Sequence, residues 1–239
     1  MQWYYSYRNN RKLKPSIGQQ AEAGFSFMEI LLAVAVGSII LLGVYSSYVI
    51  VSRQYTRLST VAEVQDFGIP VLHLLMRDVR MAGYVAVDDS MQSNYGAITT
   101  PITLTDSGNA CCDSLTVVYD KDTNTRERIS YFVGTKTNPT RNVLYMNRDR
   151  WSGVTWINTV NQALVADYID DLQFVGSNPD INGNPTLVDM SMIFQSKTRR
   201  LESSTYQKPA YNVGNYAYTA NDAYYRDEFN ATVKIRNLN

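Results

Sequence analysis

The chain contains few of the residues that most often carry chemistry. Among 239 residues there is one histidine, His73, and there are two cysteines, Cys111 and Cys112, which are adjacent. Together they supply fewer than the four ligands of a structural zinc site. A Ser/His/Asp or Cys/His catalytic set would depend on His73 alone. We therefore predict a protein that is not an enzyme, that has no zinc centre and that needs no cofactor.

The chain also lacks an excess of charge of either sign. It has 22 basic and 22 acidic residues, so its formal net charge is zero. Proteins that bind nucleic acid usually carry a basic surface or stripe. We therefore expect no nucleic-acid partner.

The cysteine pair leaves three chemical states open. A trans peptide bond holds neighbouring Cα atoms about 3.8 Å apart, below the usual disulfide range of about 4.4–6.8 Å. A strained disulfide between Cys111 and Cys112, two free thiols, and a link to another chain are the alternatives. A location outside the cytoplasm would permit a disulfide.

What the chain does have is a long apolar run over residues 23–51, with one charged residue, Glu29, near its start. A carboxylate in a membrane helix costs on the order of 2.5–3.5 kcal/mol and is usually functional. No group within the run offers a countercharge, so the partner of Glu29 must lie elsewhere. A second copy of the chain or a related chain is the simplest source.

The residues before this run favour proteolytic processing. Residues 1–22 contain one acid, Glu22, and a basic set that would stay in the cytoplasm, namely Arg8, Arg11, Lys12 and Lys14. A secretory signal peptide is cut after its apolar segment, whereas the small residue here, Gly24, comes before it. Cleavage after Gly24 would remove residues 1–24, keep the helix and create a new amino terminus at Phe25, about one turn from Glu29.

The order Gly24, Phe25, Ser26 and Glu29 resembles the class III signal of type IV prepilins and pseudopilins. That resemblance implies that a membrane peptidase cuts after Gly24 and methylates the new terminal Phe25. It also implies that Glu29 guides assembly by meeting the terminal amine of a neighbour. The leader is longer than many, and Glu22 lies where basic or neutral residues are more usual, so the position of the start codon stays open. The alternative is an ordinary signal anchor with an accidental glutamate.

The periodicity predicts a long helix with two halves. Residues 25–51 would form a transmembrane and assembly helix, and residues 52–83 an amphipathic stalk that ends near Gly83. Its apolar stripe recurs at three- and four-residue steps: Leu58, Val61, Val64, Gly68, Leu72, Leu75, Val79 and Ala82. The stripe keeps its phase across Pro70, so we predict a kink near residue 70, with two helices joined by a turn as the alternative. Arg77, Asp78 and Arg80 are expected at a solvated or subunit-facing helix end.

Residues 84–239 predict a β-rich globular head. Runs of β-branched and aromatic residues indicate strands at 98–105, 114–120, 128–134, 143–147, 172–176, 187–195 and 229–237. The runs at 114–120 and 128–134 favour a hairpin, while residues 164–171 fit either a short helix or an extended approach to the next strand. The predicted fold class is α+β, with the long N-terminal helix packed on an antiparallel sheet in the manner of type IV pilins.

Several later segments resemble PilW-type minor pilins: residues 75–84 (LMRDVRMAGY), 114–120, the strand at 172–176 and residues 225–239. The family often has a cysteine shortly after the helix-ending glycine, but none follows Gly83 here, so no disulfide placement is carried over. The resemblance implies a structural subunit of the complex that primes a type IV pilus and sits near its tip. GspJ-type pseudopilins of type II secretion are the nearest alternative. A membrane-anchored periplasmic enzyme or sensor and a tip adhesin are further ones.

The same resemblance implies the partners and the location. The partners would be other minor pilins, the major pilin, the prepilin peptidase and the assembly platform of the inner membrane. The chain would cross the inner membrane of a diderm bacterium once, with its head in the periplasm, and would then enter an extracellular pilus.

Two head segments have weaker signals. Asp180, Asn182 and Asn184 have the alternate spacing of a calcium loop, but Pro185 and Ser191 stand where such a loop needs glycine and glutamate, so an Asx turn is favoured. Residues 204–226 contain six tyrosines. They fit either a contact surface for another subunit or an irregular loop with partly buried rings.

Overall fold

In a computed structural model the described residues are 24–108, 110–208, 213–214 and 216–238. Of the predicted leader, only Gly24 falls within them. The chain divides into two compact units, residues 1–52 and 53–239. The described elements are one helix and eight strands: α1 (Phe27–Met81), β1 (Ile102–Thr105), β2 (Ser114–Asp122), β3 (Thr125–Lys136), β4 (Arg141–Trp151), β5 (Trp156–Asp167), β6 (Ile169–Pro179), β7 (Pro185–Gln207) and β8 (Thr219–Lys234).

Helix α1 runs without interruption through Pro70 for 55 residues. The alternative of two helices joined by a turn is therefore wrong. Just past the helix end, Gly83 adopts a φ of +76°, a conformation that favours glycine. The side-chain amide of Asn237 donates to the carbonyls of Arg80, Met81 and Ala82 at 3.3–3.4 Å. These contacts add a donor to carbonyls at the helix end, of which that of Met81 also accepts the N–H of Tyr84 at 2.9 Å.

In the second unit, α1 buries one face. Its buried residues are Thr60, Val64, Gly68, Val71, Leu75, Asp78 and Val79. The predicted stripe is confirmed at Val64, Gly68, Leu75 and Val79, whereas Leu58 is 69% exposed. A Cβ atom at Gly68 would overlap the ring of Phe229 on β8, so the glycine allows the helix and the sheet to approach closely.

Two antiparallel sheets complete this unit. Strands β1 to β5 form one sheet in sequential order, and β6, β7 and β8 form the other. Along β2, Leu115, Val117 and Tyr119 are buried while Thr116 and Val118 are less so, the alternation of a sheet with one covered face. A single core cluster contains buried residues of α1 and of both sheets. The coarse prediction of a long N-terminal helix with antiparallel β-structure, an α+β layout, is confirmed.

The strand predictions agree with the structure in part. Strands β4, β6 and β7 are longer than the predicted runs, and β8 begins ten residues before the predicted run and ends three residues before its end. The predicted 114–120/128–134 hairpin is present as β2 and β3, which pair from Leu115–Tyr131 to Asp120–Arg126 in one register and, after a shift of one residue, at Asp122–Thr125. Strand β5 was not predicted, and the undecided segment 164–171 is extended, forming the end of β5 and the start of β6. The run at 98–105 becomes a strand only from Ile102, because residues 98–101 form a connection.

A buried aspartate, Asp113, joins the two sheets. Its backbone N–H donates to the carbonyl of Leu172 at 2.8 Å, and its carboxylate accepts the N–H of Phe174 at 2.9 Å. The other carboxylate oxygen accepts the N–H of Ser107 at 2.9 Å. Asp113 therefore acts as a one-residue bridge from the start of β2 to the middle of β6.

A second buried aspartate, Asp78, links α1 to the first sheet. It was expected at a solvated helix end, and that expectation is wrong, because the residue is fully buried. The hydroxyl of Tyr131 on β3 donates to Asp78 Oδ2 at 2.6 Å, and Arg77 Nε donates to Asp78 Oδ1 at 2.8 Å. Burial and the neighbouring carboxylate raise the pKa of Tyr131 well above its usual range, so the phenol stays a proton donor.

This link predicts a stability effect. Tyr131→Phe leaves the Asp78 carboxylate buried with one donor fewer, so we expect a loss of about 1–3 kcal/mol in the free energy of unfolding. Urea unfolding of the detergent-solubilised chain, followed by tryptophan fluorescence, measures it.

Tyr145→Phe is the matched control. Tyr145 lies half-buried on β4, and its hydroxyl forms no hydrogen bond with any other described residue. Its removal should change the free energy by less than about 0.5 kcal/mol. Equal losses in the two variants would contradict a role for the Tyr131–Asp78 bond.

Candidate assembly site

The start of α1 positions the residues that the sequence analysis singled out. The backbone carbonyl of Ser26 accepts the N–H of Glu29 at 2.9 Å and that of Ile30 at 3.2 Å. Ser26 is therefore the N-cap, and Gly24 and Phe25 precede the helix. Glu29 lies in the first turn, where the helix dipole favours a negative charge.

The residues at this helix start carry a further local signal, which was not among the sequence-based predictions. Ser26 and Glu29 have the spacing of a capping box, in which an N-cap serine is followed three residues later by glutamate. That pattern alone places a helix start at Ser26. Within the described residues, however, the Glu29 carboxylate has no hydrogen bond and no ion pair. Its negative charge is thus available to a group outside this part of the chain.

The surface around Glu29 is apolar and uncovered. Phe25, Phe27 and Met28 are 72–79% exposed. The most apolar 18-residue window of α1 has a mean hydropathy of 2.5 and is not buried at all. This helix is long and apolar enough to cross a membrane. Apolar surface costs about 25 cal/mol per Å² in contact with water, so lipid or other helices are its natural surroundings.

The cysteines form a disulfide beside a buried acid. Cys111 and Cys112 are bonded to each other, which is the first of the three alternatives. Their sulfur atoms and a carboxylate oxygen of Asp171 lie within 4.8 Å of one another. With both sulfurs in the disulfide, the group offers no thiolate that could bind a metal.

Asp171 is the centre of a buried polar cluster between β6 and the tyrosine-rich segment. The Lys208 Nζ donates to Asp171 Oδ2 at 2.8 Å and to the carbonyl of Val213 at 3.0 Å. Gln173 Nε2 donates to Asp171 Oδ1 at 3.0 Å. Burial raises the pKa of Asp171 above its usual value, although Lys208 and Gln173 act in the opposite direction.

A second cluster surrounds the guanidinium of Arg226. It pairs with Asp170 Oδ2 at 2.6 Å and with both oxygens of Asp222 at 2.6 and 2.8 Å. Tyr218 donates to the same Asp170 oxygen at 2.7 Å. Burial raises the pKa of Asp170, and the hydrogen bonds from Tyr218 and Arg226 oppose that rise. The two clusters tie Lys208, Tyr218 and Arg226 to β6.

The tyrosine-rich segment, residues 204–226, is a strand at both of its ends. One of its two interpretations was an irregular loop. Residues 204–207 end β7 and residues 219–226 begin β8, while 209–212 and 215 lie outside the described residues. The described tyrosines are all half-buried: Tyr206, Tyr216, Tyr218, Tyr224 and Tyr225. The irregular loop is therefore wrong for the two ends of the segment. The contact surface stays a prediction.

The weak calcium candidate forms an Asx turn between β6 and β7. Asp180 Oδ1 accepts the N–H groups of Asn182 and Asn184, both at 2.8 Å, and Oδ2 accepts the side-chain amide of Asn184 at 3.2 Å. Burial would raise the pKa of Asp180, but these hydrogen bonds lower it below its usual value. The carboxylate thus serves to order the turn.

Comparisons with known proteins give no relative. No protein-family model, no curated protein and no solved structure matches this chain.

The Asp171–Lys208 pair gives a pH-dependent prediction. Lys208→Met removes the ammonium group that lowers the pKa of Asp171 and leaves Gln173 in place, so that pKa rises further above its unfolded value. An acid whose folded pKa is raised loses its stabilising contribution as pH rises through that value. We therefore expect a loss of about 3–5 kcal/mol at pH 7 and a smaller loss near pH 4, measured by urea unfolding.

Lys121→Met is the control, because Lys121 is 61% exposed and lies 4.0 Å from Glu127. Its effect should be small at both pH values. If Lys208→Met lowers the free energy of unfolding equally at pH 4 and pH 7, the charge interaction between Asp171 and Lys208 is not the cause of the loss.

Proposed function

We propose that the chain is a minor pilin, a non-enzymatic structural subunit of the complex that primes a type IV pilus. The observation that carries the proposal is the helix start. Glu29 is the one charged residue of an exposed apolar helix segment, and within the described residues its carboxylate has no partner. The prepilin-like order of Gly24, Phe25 and Ser26 directly before it supports the same reading, as does the α+β layout of the chain.

The proposed mechanism is association of helices in the membrane. An unpaired carboxylate in hydrocarbon is unfavourable, and an ion pair in that environment stabilises only when both charges are well placed. Cleavage after Gly24 supplies a cation on each neighbouring chain, the amine of Phe25. Pairing Glu29 of one chain with that amine of another would compensate both charges and fix the axial register of the two helices.

The proposed role also defines partners and a location, and one other assembly is the alternative. The partners are other minor pilins, the major pilin, the prepilin peptidase and the inner-membrane assembly platform. The head would face the periplasm and later the cell exterior. A type II secretion pseudopilus uses the same chemistry and is the alternative. Neighbouring genes for retraction motors, or for a secretin-linked secretion set, separate the two.

Glu29→Ala tests the mechanism in cells that assemble the filament. The variant lacks the carboxylate that would pair with the terminal amine of a neighbour. We therefore expect it to reach the membrane normally, while its amount in sheared filaments falls about tenfold or more. A tenfold fall is equivalent to about 1.4 kcal/mol per contact. Immunoblots of membrane and filament fractions give both amounts.

Glu29→Gln removes the charge of Glu29 and keeps the shape of its side chain. Asp66→Asn is the matched control, since Asp66 is an exposed acid elsewhere on α1. The glutamine variant should resemble the alanine variant, and Asp66→Asn should resemble the unmodified chain. Normal filament content and normal co-purification of partner subunits in Glu29→Ala would reduce the helix to a simple membrane tether.

Processing is tested independently by mass spectrometry of the chain from sheared filaments. We expect a mature chain that begins at a methylated Phe25, because only then does the cationic amine lie one turn from Glu29. In Gly24→Leu, which blocks a small-residue cleavage site, the leader should remain and the chain should stay in the membrane. A filament-borne chain that retains residue 1 would contradict processing.

A further inference from the structure

The tryptophans of the head meet in one cleft. The chain has three tryptophans, Trp3 in the predicted leader and Trp151 and Trp156 in the head. The latter two line a cleft of about 370 Å³, a volume in the range of small-molecule sites. The cleft lies on the less buried face of β2 and β3, with the connection before β1 at its rim. Four threonines (Thr99, Thr100, Thr103 and Thr116) and two arginines (Arg126 and Arg128) also line it.

Both indole rings are held in place. Trp151 and Trp156 pair as the last residues of β4 and the first of β5, with ring centroids 5.1 Å apart and planes at 56°. The guanidinium of Arg128 lies 4.8 Å from the ring centroid of Trp156. Arg128 is itself fixed by two hydrogen bonds to Asp149 Oδ2, at 2.9 and 2.7 Å. The cleft is thus ordered before any ligand arrives.

The charges of the cleft are already compensated. Arg126 donates to Asp120 at 2.6 Å and to the carbonyl of Gly96 at 2.6 Å, and Arg128 is paired with Asp149. An anion would have to compete with these carboxylates for the guanidinium groups. The cleft therefore favours a neutral ligand.

Polar groups remain for such a ligand. Four threonine hydroxyls line the cleft, and each can donate and accept. That of Thr116 is already hydrogen-bonded to the Ser130 hydroxyl at 2.9 Å, so the other three are the main contacts on offer. Within the described residues neither indole N–H has a hydrogen-bond partner. Trp151 also lines a second cleft of about 350 Å³, in which Arg150 and Ile157 lie on the opposite face of the β4–β5 hairpin from the Trp151–Trp156 pair.

We propose that the cleft at Trp151 and Trp156 binds a neutral oligosaccharide. A sugar ring has a face of C–H groups, which the negative face of an indole attracts, and a rim of hydroxyls that donate and accept. A proline-rich peptide also packs on aromatic grooves, but its proline residues have no N–H to donate, so it matches the threonine hydroxyls less well. This site would act beside the filament role and does not depend on it.

The test uses the full chain with Trp3→Phe, so that both remaining tryptophans report from the cleft, in a detergent that contains no sugar. The probes are cellotriose and tri-N-acetylchitotriose, with glucose and a ten-residue polyproline peptide as comparisons. We expect a saturable fluorescence change with at least one trisaccharide, at a Kd below about 1 mM. Absence of saturable binding by both trisaccharides, or tighter binding of polyproline, would overturn the proposal.

Two variants locate the site by calorimetric titration. Trp151→Leu should weaken trisaccharide binding about tenfold, because it removes one of the two indole rings that line the cleft. Thr103→Val, at an exposed edge-strand position, keeps the side-chain shape and should weaken binding about threefold to tenfold. Because it removes only a hydroxyl, it keeps the test decisive should Trp151→Leu fail to fold.

Val154→Ala is the control, since Val154 lies at the tip of the same hairpin, is 81% exposed and lines neither cleft. The affinity of Val154→Ala for the trisaccharides should be unchanged. Equal affinities in all three variants would place the sugar elsewhere and contradict the proposal.

Discussion

The structure depends on one constraint: α1 has to match two different surroundings with one uninterrupted helix. Its first half exposes apolar side chains on every face, and its second half buries a single stripe. The first pattern is stable against lipid or other apolar helices, the second against a sheet. The stripe keeps its phase through Pro70, and Gly68 lets the ring of Phe229 lie directly against the helix backbone. The core of the second unit is organised around that contact.

The buried charges of the second unit have a common design. Asp78, Asp113, Asp171 and Arg226 each join segments that are distant in sequence, and each has several hydrogen-bond partners. A buried charge without such partners is strongly unfavourable. These residues therefore specify how the helix, the two sheets and the tyrosine-rich segment fit together, in addition to any net stability that they add.

Sequence reasoning succeeded where a signal is local and failed where a partner is remote. The stripe at Val64, Leu75 and Val79 follows from helical spacing. Asp78 was placed in solvent because its charge outweighed its position on that stripe, and its partner Tyr131 is 53 positions away. Strand β5 was not predicted from the sequence, because it is an edge strand that is largely exposed along its length. Its sequence therefore has no alternation of apolar and polar residues. The Trp151–Trp156 cleft depends on a hairpin pairing with that same strand, and the prepilin-like motif remains a prediction from its residues.

The Asn237 side chain has a consequence for biogenesis. It covers the carbonyls at the end of α1 across 157 positions of sequence, and Ile235 beside it is fully buried in the core. Helix α1 precedes everything else that the structure describes, and its apolar half can enter a bilayer as soon as it leaves the ribosome. The globular part cannot close until residues 235–237 have been translated. Tertiary folding therefore waits for the end of synthesis, and during that interval the unfolded segments between α1 and Ile235 would be exposed to proteases and open to chaperones.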